Sequence, residues 1–354
     1  MKLNSALKIL LVFSVISCNT NRENEFFTIQ VDSVESAPLS LSEIASKIEA
    51  VELEVTDNSL ISRENRVLYT GEHIFIAQRN TVMLFDKTGK FLRQIGSVGQ
   101  GPGEFTAIID ITADVKNKYL YINARNKMIC YDFDGNLIKN TVINKGDSYV
   151  NYQNGKLLLL TEMFGKSNGK NIGQAFLYML DDNLSKSDSV KVYEIPITMA
   201  MFRGNNDFIS NDGENTYLYY SDITTNSFLL DTLYQFKNNK LIPYLNLGFS
   251  NNGLTAGQKN IYIMNIYKSS RYVFSFYQDQ KGGQNQWYYF CYDIKTGKSY
   301  KVKDGYTDDI HTGEKVKIRP FDSDANLFYY LHTNIDDSAK EEPNPTLYIG
   351  TLKK

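Results

Sequence analysis

Two repeated pairs of residues offer the clearest binding chemistry in this sequence. Arg79-Asn80 and Arg125-Asn126 each stand between two apolar stretches, in positions typical of tight turns. Two guanidinium groups brought together could bind a carboxylate, a phosphate or an array of sugar hydroxyls. The alternative is that Arg-Asn only makes a good turn and packs against its neighbour. Both interpretations depend on the elements that position these turns.

Motifs of catalysis and metal binding are incomplete. The glycine-rich run 99–103 leads from one strand into another, without the helix or the Gly-Lys-Ser/Thr of a phosphate loop, so we predict a turn anchored by Glu104 and Phe105. Segment 132–136 lacks the glycine and glutamate positions of a calcium loop. The three histidines (His73, His311 and His332) are too widely spaced to predict a zinc site. The sequence predicts no catalytic residue, metal ligand or cofactor. Calcium stays possible without a motif that supports it, and enzymatic activity stays open.

Composition indicates a folded, sheet-rich protein. Lys and Arg number 38 against 40 Asp and Glu, giving a net charge of −2, which argues against a general nucleic-acid binder. Hydrophobic residues make up 42% of the 354, enough for a core. Tyr (25) and Phe (20) are abundant and Pro (7) is scarce, which favours strands.

The first residues have the features of a targeting segment. Lys2 and Lys8 form a positively charged start before an apolar stretch, 9–16, which is too short to span a membrane and is followed by Ser17-Cys18. This pattern resembles the lipobox of bacterial lipoproteins, which implies a signal peptide over 1–17 and acylation of Cys18. Residues 18–46 would then be the lipidated cysteine, a polar tether and a lead-in segment. The alternative is an ordinary secretory signal with a cysteine nearby.

A short strand-turn unit recurs along the chain. Asp86, Asp132 and Asp293 each end an apolar strand and begin a turn that contains glycine, and a weaker copy contains Asp181. The first two aspartates are about 46 residues apart, a period typical of four-stranded propeller blades. The sequence therefore predicts an all-β fold made of repeated antiparallel blades.

Counting strands outward from these turns gives six blades, the last one strand short. Segment 48–54 alternates apolar and polar residues and can supply that strand, which would close the ring with the N-terminal part of the chain. We therefore predict a six-bladed β-propeller over 47–354. A short helical turn is expected within 42–47, and a further edge strand of open pairing at 27–31.

Three stretches resemble a known family. They are 96–105 directly after the strand 91–95, the phrase 231–236, and the terminal 344–348. Together with the lipobox they resemble the six-bladed β-propeller lipoproteins of Bacteroidetes, relatives of NHL-repeat propellers. The resemblance implies a lipid-anchored protein of the outer membrane, periplasmic or surface-exposed, and implies no particular activity.

Blade geometry places the long connections on one face. The turns between the third and fourth strands are short, whereas the opposite face receives the long segments 96–105, 163–174, 196–207, 248–259, 278–286, 304–315 and 333–345. Candidate ligand-binding residues on this long-loop face are Arg79, Asn80, Glu104, Arg125, Asn126, Arg203 and His311.

Three functions remain open. We expect a binding module for a peptide, a glycan or a partner protein. The first alternative is a hydrolase or lyase at the channel mouth, similar to metal-dependent lactonase propellers and favoured by convergent carboxylates. The second is a structural subunit of an outer-membrane complex, favoured by an exposed apolar patch.

Overall fold

Six four-stranded antiparallel sheets form the molecule. The computed structural model describes residues 26–62, 66–144, 146–197, 207–221, 229–255, 258–321, 324–333 and 343–354. We number the sheets as blades 1 to 6 and letter their strands A to D from the channel outward. Strand A of blade 2 contacts the A strands of blades 1 and 3, and strand A of blade 4 contacts that of blade 5, as inner strands of a ring do. The predicted six-bladed β-propeller is confirmed.

Each blade takes its four strands from one stretch of the chain, except blade 6, whose last strand is N-terminal. Blade 1 comprises Arg66–Tyr69, His73–Ala77, Val82–Asp86 and Phe91–Ile95; blade 2 comprises Asp110–Asp114, Tyr119–Asn123, Lys127–Asp132 and Leu137–Val142. Blade 3 comprises Asp147–Gln153, Lys156–Ser167, Lys170–Leu180 and Lys186–Pro196; blade 4 comprises Ile209–Asn211, Thr216–Leu218, Thr232–Lys237 and Lys240–Gly248. Blade 5 comprises Ile261–Lys268, Tyr272–Asp279, Gln286–Asp293 and Lys298–Lys303; blade 6 comprises Arg319–Pro320, Leu327–His332, Thr346–Leu352 and Ala45–Glu52.

The links between blades contain small additional elements. Ser97–Val98 pairs in parallel with Glu104–Phe105, and two antiparallel pairs join Leu254–Thr255 to Gln258–Lys259 and Tyr306–Thr307 to Lys315–Val316. The helices in the described part of the chain are Leu41–Ile44 and the 3-10 turns Ser250–Gly253 and Lys281–Gly283.

The N-terminal segment closes the ring. Strand Ala45–Glu52 pairs antiparallel with Thr346–Leu352, with Ile48 opposite Gly350, so the last blade receives its outer strand from the start of the domain. Gly350 is required at this point, because a Cβ there would stand 2.0 Å from the Phe328 ring. The predicted closing strand is confirmed.

Residues before the closing strand run along the outer edges of blades 4 and 5. Phe27–Gln30 adds in parallel to strand D of blade 4. The Ala37 N–H then donates to the Lys301 carbonyl at 3.0 Å, and the Leu39 carbonyl accepts from Thr307 at 3.0 Å. This segment covers outer edges that would otherwise expose unpaired backbone groups. The pairing that the sequence left open for residues 27–31 is thus with blade 4.

The repeated aspartates cap the turns between strands C and D. An oxygen of Asp86 accepts from the Thr88 N–H at 2.8 Å, one of Asp132 from the Asn136 N–H at 2.8 Å, and one of Asp293 from the Lys295 N–H at 2.9 Å. The same hydrogen bond from a backbone N–H to an aspartate therefore stabilises the C–D turn of three blades, as the repeat indicates.

One expected loop is a hairpin. Segment 163–174 continues strands B and C of blade 3, with pairing that runs from Glu162 opposite Ala175 to Ser167 opposite Lys170. Only Asn168-Gly169 forms the turn, and both residues have positive φ (50° and 76°). Asn-Gly is the usual pair in a tight hairpin turn, so this signal could have corrected the expectation. Blade 3 therefore has a β-arm that extends beyond the other blades.

Candidate functional site

Four charged side chains gather where the inner strands begin. Arg66 starts strand A of blade 1, Asp110 starts that of blade 2, Asp207 precedes that of blade 4, and Arg319 starts that of blade 6. Because every A strand enters the blade from the long-loop face, these residues lie at the same mouth of the channel. Arg66 Nη1 is 2.7 Å from Asp207 Oδ1, and Arg66 Nε is 3.8 Å from Asp110 Oδ1. Arg319 Nε is 3.7 Å from Asp207 Oδ2.

The carboxylates at the mouth already have hydrogen-bond or ion-pair partners. Arg66 and Asp110 are buried. Asp110 accepts from the backbone N–H groups of Ile111 and Val150, both at 3.0 Å. Both oxygens of Asp207 are in contact with arginine. Buried charges of this kind are tolerated only when paired and hydrogen-bonded, so the cluster holds inner strands of different blades together.

A cavity of about 430 Å³ opens beside this cluster, between blades 5 and 6. Its lining residues come from blades 4, 5 and 6 and from the link between the last two: Asp207, Ser221, Met264, Asn265, Tyr267, Phe274, Ser275, Phe276, Tyr289, Tyr306, Lys317, Ile318 and Arg319. The volume falls within the range of roughly 300–1,000 Å³ typical of small-molecule sites.

Aromatic rings form one wall of the cavity. Phe276 stacks on Tyr289 with ring centroids 4.6 Å apart, and on its other side on Trp287 at 4.8 Å. Strand pairing produces this stack, because Phe276 lies directly opposite Tyr289 on the next strand and the side chains alternate. Burial raises the pKa of both Tyr289 and Tyr306, so the two phenols are neutral near pH 7. The wall is therefore an uncharged ring surface.

The polar groups of the cavity divide into two kinds. Ser275 Oγ donates to the Asn265 carbonyl at 2.8 Å, Asn265 Oδ1 accepts from the Phe276 N–H at 2.8 Å, and Ser221 Oγ donates to the Ile263 carbonyl at 2.7 Å. These groups stabilise the backbone of blades 4 and 5. The charged groups of the lining, Lys317 and Arg319 with Asp207, come from the chain that enters blades 6 and 4, and we call this part of the lining the charged wall.

Another buried acid, Glu162, lies on the long-loop face at the base of the blade 3 arm. Glu162 is only 2% exposed, and its Oε1 accepts from Tyr220 Oη at 2.7 Å. Tyr220 Oη is also 2.7 Å from Tyr193 Oη. Within the described residues, Glu162 Oε2 has no hydrogen-bond partner.

The two Arg-Asn pairs occupy the turns between strands B and C of blades 1 and 2, as predicted. All four residues are exposed. The Arg79 carbonyl accepts from Ile108 at 2.6 Å, and Arg125 has a positive φ of 64° with its N–H donating to Asn123 Oδ1 at 3.1 Å. These contacts are those of turn residues. Ligand binding by the two guanidiniums stays a prediction.

The other candidates are scattered. Glu104 Oε2 accepts from the Gly101 N–H at 2.8 Å and so closes the glycine-rich turn. His311 lies at the outer edge of blade 6, its Nε2 3.2 Å from the Ile48 carbonyl and its ring 5.1 Å from Tyr348. Arg203 and Cys18 lie outside the described residues. Neither Glu104 nor His311 lines the cavity.

Sequence reasoning missed the cavity residues. The sequence contained two signals near the site. One is the single tryptophan, Trp287, within an aromatic strand. The other is a charged residue at the start of two inner strands, Arg66 in blade 1 and Asp110 in blade 2. Cys130 and Cys291 are buried free thiols and take no part in the site.

The described residues contain neither a cluster of metal ligands nor a membrane-spanning helix. No group of three or more His, Cys, Asp or Glu residues there could hold a metal ion. Nor does any helix in that part of the chain have the length and apolar character needed to cross a bilayer.

Fold and site together define a six-bladed β-propeller with a ligand-sized cavity beside a buried charge cluster at its channel mouth. The chain belongs to the family described as "Domain of unknown function (DUF4934)", whose model matches residues 26–353. No curated protein matches the sequence significantly.

Solved structures share the fold. A protein of Bacteroides fragilis, described as exported, is 17% identical over 92% of this chain and 99% of its own, with a TM-score of 0.64. BamB of Moraxella catarrhalis is 10% identical over 86% of this chain and 100% of its own, with a TM-score of 0.44. A protein of unknown function from Bacteroides caccae is 10% identical over 78% of this chain and 89% of its own, with a TM-score of 0.40. The likeness to the Bacteroides fragilis protein shows the fold alone, and the two lower TM-scores carry no argument.

Proposed function

We propose that this protein is an exported, membrane-anchored binding module whose ligand enters the cavity between blades 5 and 6. The cavity itself carries the proposal, because it combines a ring surface with the charged wall and opens beside the channel mouth. A volume of about 430 Å³ suits a small molecule or the terminal group of a peptide or glycan. The rest of a larger ligand would lie across the long-loop face.

The arrangement of the carboxylates supports binding over hydrolysis. A propeller hydrolase would direct several carboxylates at one open position. Here Asp110 accepts backbone N–H groups and Asp207 contacts two arginines, so their charges are already compensated. An arginine-rich mouth with compensated carboxylates is the feature that we expect of a binding module.

The proposed cellular location depends on the N-terminal segment. The apolar stretch 9–16 followed by Ser17-Cys18 would direct export and acylation at Cys18. The Bacteroides fragilis protein with the same fold is described as exported, which agrees with this proposal. We place the protein at the outer membrane, facing the periplasm or the cell surface.

Tryptophan fluorescence offers a direct test, because Trp287 is the only tryptophan and stacks on a lining residue. The mature chain is titrated with a panel of monosaccharides and free aromatic amino acids. We expect at least one probe to change the emission saturably and to raise the melting temperature. Calorimetry then compares Phe276→Leu, which removes a ring from the wall, with Phe91→Leu, a half-buried aromatic in blade 1.

Phe276→Leu should weaken binding about tenfold or more, the loss expected for a stacked ring, whereas Phe91→Leu should bind as the wild type does. Equal affinity in both variants, or no saturable response to any probe, would contradict the proposed function.

A further inference from the structure

The cavity offers few free partners for a ligand that is rich in hydroxyl groups. Ser221, Asn265 and Ser275 all use side-chain atoms in hydrogen bonds to the backbone of blades 4 and 5. Most of the remaining surface is carbon, from Met264, Ile318 and the aromatic lining residues. A sugar ring would lose hydrogen bonds to water without replacing most of them, whereas an aromatic ring loses none.

The aromatic wall matches a flat ring. The centroid distances of 4.6 and 4.8 Å within the Trp287–Phe276–Tyr289 stack are those of rings in contact, and the interplanar angles are 20° and 21°. A ligand ring entering the cavity can pack edge-on or offset against the exposed part of this stack, with the energy that aromatic pairs add to simple burial.

The charged wall has an excess of positive charge. Among the described residues, the lining holds two cations, Lys317 and Arg319, and one carboxylate, Asp207. That carboxylate is also 2.7 Å from Arg66 Nη1, so its charge is shared between two guanidiniums. Lys317 is exposed and forms no ion pair with any carboxylate of the described residues. An anionic group at this wall would meet an ammonium that is not already neutralised.

We infer that the cavity selects an aromatic ring that carries a carboxylate within a few bonds. This inference rests on the proposed function, since it names the ligand class of the same site. The ring packs on the Phe276 wall and the carboxylate lies at Lys317, close to the Arg319 edge. Two sources share this chemistry, a free aromatic acid and the C-terminal phenylalanine or tyrosine of a peptide.

The test uses matched acid and amide probes. The mature chain is titrated with 3-phenylpropionate and 3-phenylpropionamide, then with N-acetylphenylalanine and its amide, while Trp287 emission and calorimetric heat are recorded. We expect each acid to bind about tenfold or more tightly than its amide, because only the acid forms a charge-assisted hydrogen bond. Tighter binding of 3-phenylpropionate than of N-acetylphenylalanine identifies a free acid as the source. The reverse order identifies the C-terminus of a peptide. Both outcomes support the inference.

Lys317→Gln should remove most of the difference in affinity between acid and amide. Lys303→Gln, an exposed lysine outside the cavity, is the control with the same loss of charge. Equal binding of acid and amide, an undiminished difference in Lys317→Gln, or tighter binding of glucuronate than of either aromatic acid would each overturn the inference and leave the proposed function standing. If neither these probes nor the monosaccharide panel binds, the proposed function itself is refuted.

Discussion

Replacing Asp293 by asparagine isolates the charge of one repeat turn. The two Asp293 oxygens accept from Arg271 Nε at 2.9 Å and Nη2 at 2.6 Å, a bidentate pair, and also from Thr296 Oγ1 and the Lys295 N–H. The hydrogen bond from Arg271 is the main cause of a pKa near 2, against an ordinary 3.8, and it outweighs the opposing effect of burial. Asparagine keeps the shape of the carboxyl group and removes its charge.

The expected loss follows from that shift. A pKa lowered from 3.8 to about 2 corresponds to about 2.5 kcal/mol of unfolding free energy at neutral pH. The carboxyl binds protons more weakly in the folded chain, so this stability is complete above about pH 5 and declines as the pH falls through 3.8 towards 2. Wild type and Asp293→Asn should therefore differ near pH 7 and converge at about pH 2.

Urea unfolding, followed by tyrosine and tryptophan fluorescence at several pH values, measures this difference. Asp132→Asn is the matched control, because Asp132 caps the equivalent turn of blade 2 through Asn136 rather than through an arginine. The Asp132→Asn variant should lose less unfolding free energy at neutral pH than Asp293→Asn does. The argument that the arginine pair stabilises this turn would be refuted by either of two results. The first is a difference in unfolding free energy between wild type and Asp293→Asn that does not change with pH. The second is an equal loss of unfolding free energy in Asp132→Asn.

Four other perturbations test the remaining structural claims. Cys18→Ala should move the protein from the membrane fraction to the soluble fraction of cells, and unchanged fractionation would contradict the anchor. Deletion of residues 48–54 should leave the protein insoluble, because blade 6 loses its outer strand; a soluble chain with native circular dichroism would contradict ring closure. Arg66→Met should cost about 3–5 kcal/mol in urea unfolding, since two buried carboxylates lose their partner; a loss under about 1 kcal/mol would show that other groups compensate them. Arg79→Ala combined with Arg125→Ala should weaken ligand capture without lowering the melting temperature, and a lowered melting temperature would show a structural role instead.

The parts of the fold that could be predicted depend on local chemistry. Each capped turn needs only an aspartate and a glycine a few residues apart, so the repeat of Asp86 and Asp132 reveals the blade unit directly. The closing strand has an alternating pattern of its own, and it lies in the structure at Ala45–Glu52. Segment 163–174 misled because its length indicated a loop, although Asn168-Gly169 contains the local signal for a hairpin.

The candidate site could not be predicted, because its residues meet only after the ring closes. Arg66 and Asp207 are far apart in sequence and become partners across the channel. Lys317 and Phe276 belong to different blades and have no sequence pattern in common. A repeat predicts what every blade shares, whereas a binding site uses what one pair of blades does differently.

The cavity itself arises where two facing inner strands depart from the repeat. Strand A of blade 6 has only two residues, and one of them, Pro320, has no N–H to donate to a strand ladder. Strand A of blade 5 is irregular at Met264, where the register with strand B shifts between Ile263 and Asn265. A short strand facing a bulged one leaves space that regular strands would fill with side chains. The position of the cavity is therefore a consequence of these two irregularities. The repeated unit predicts the ring of blades, but it does not predict the cavity.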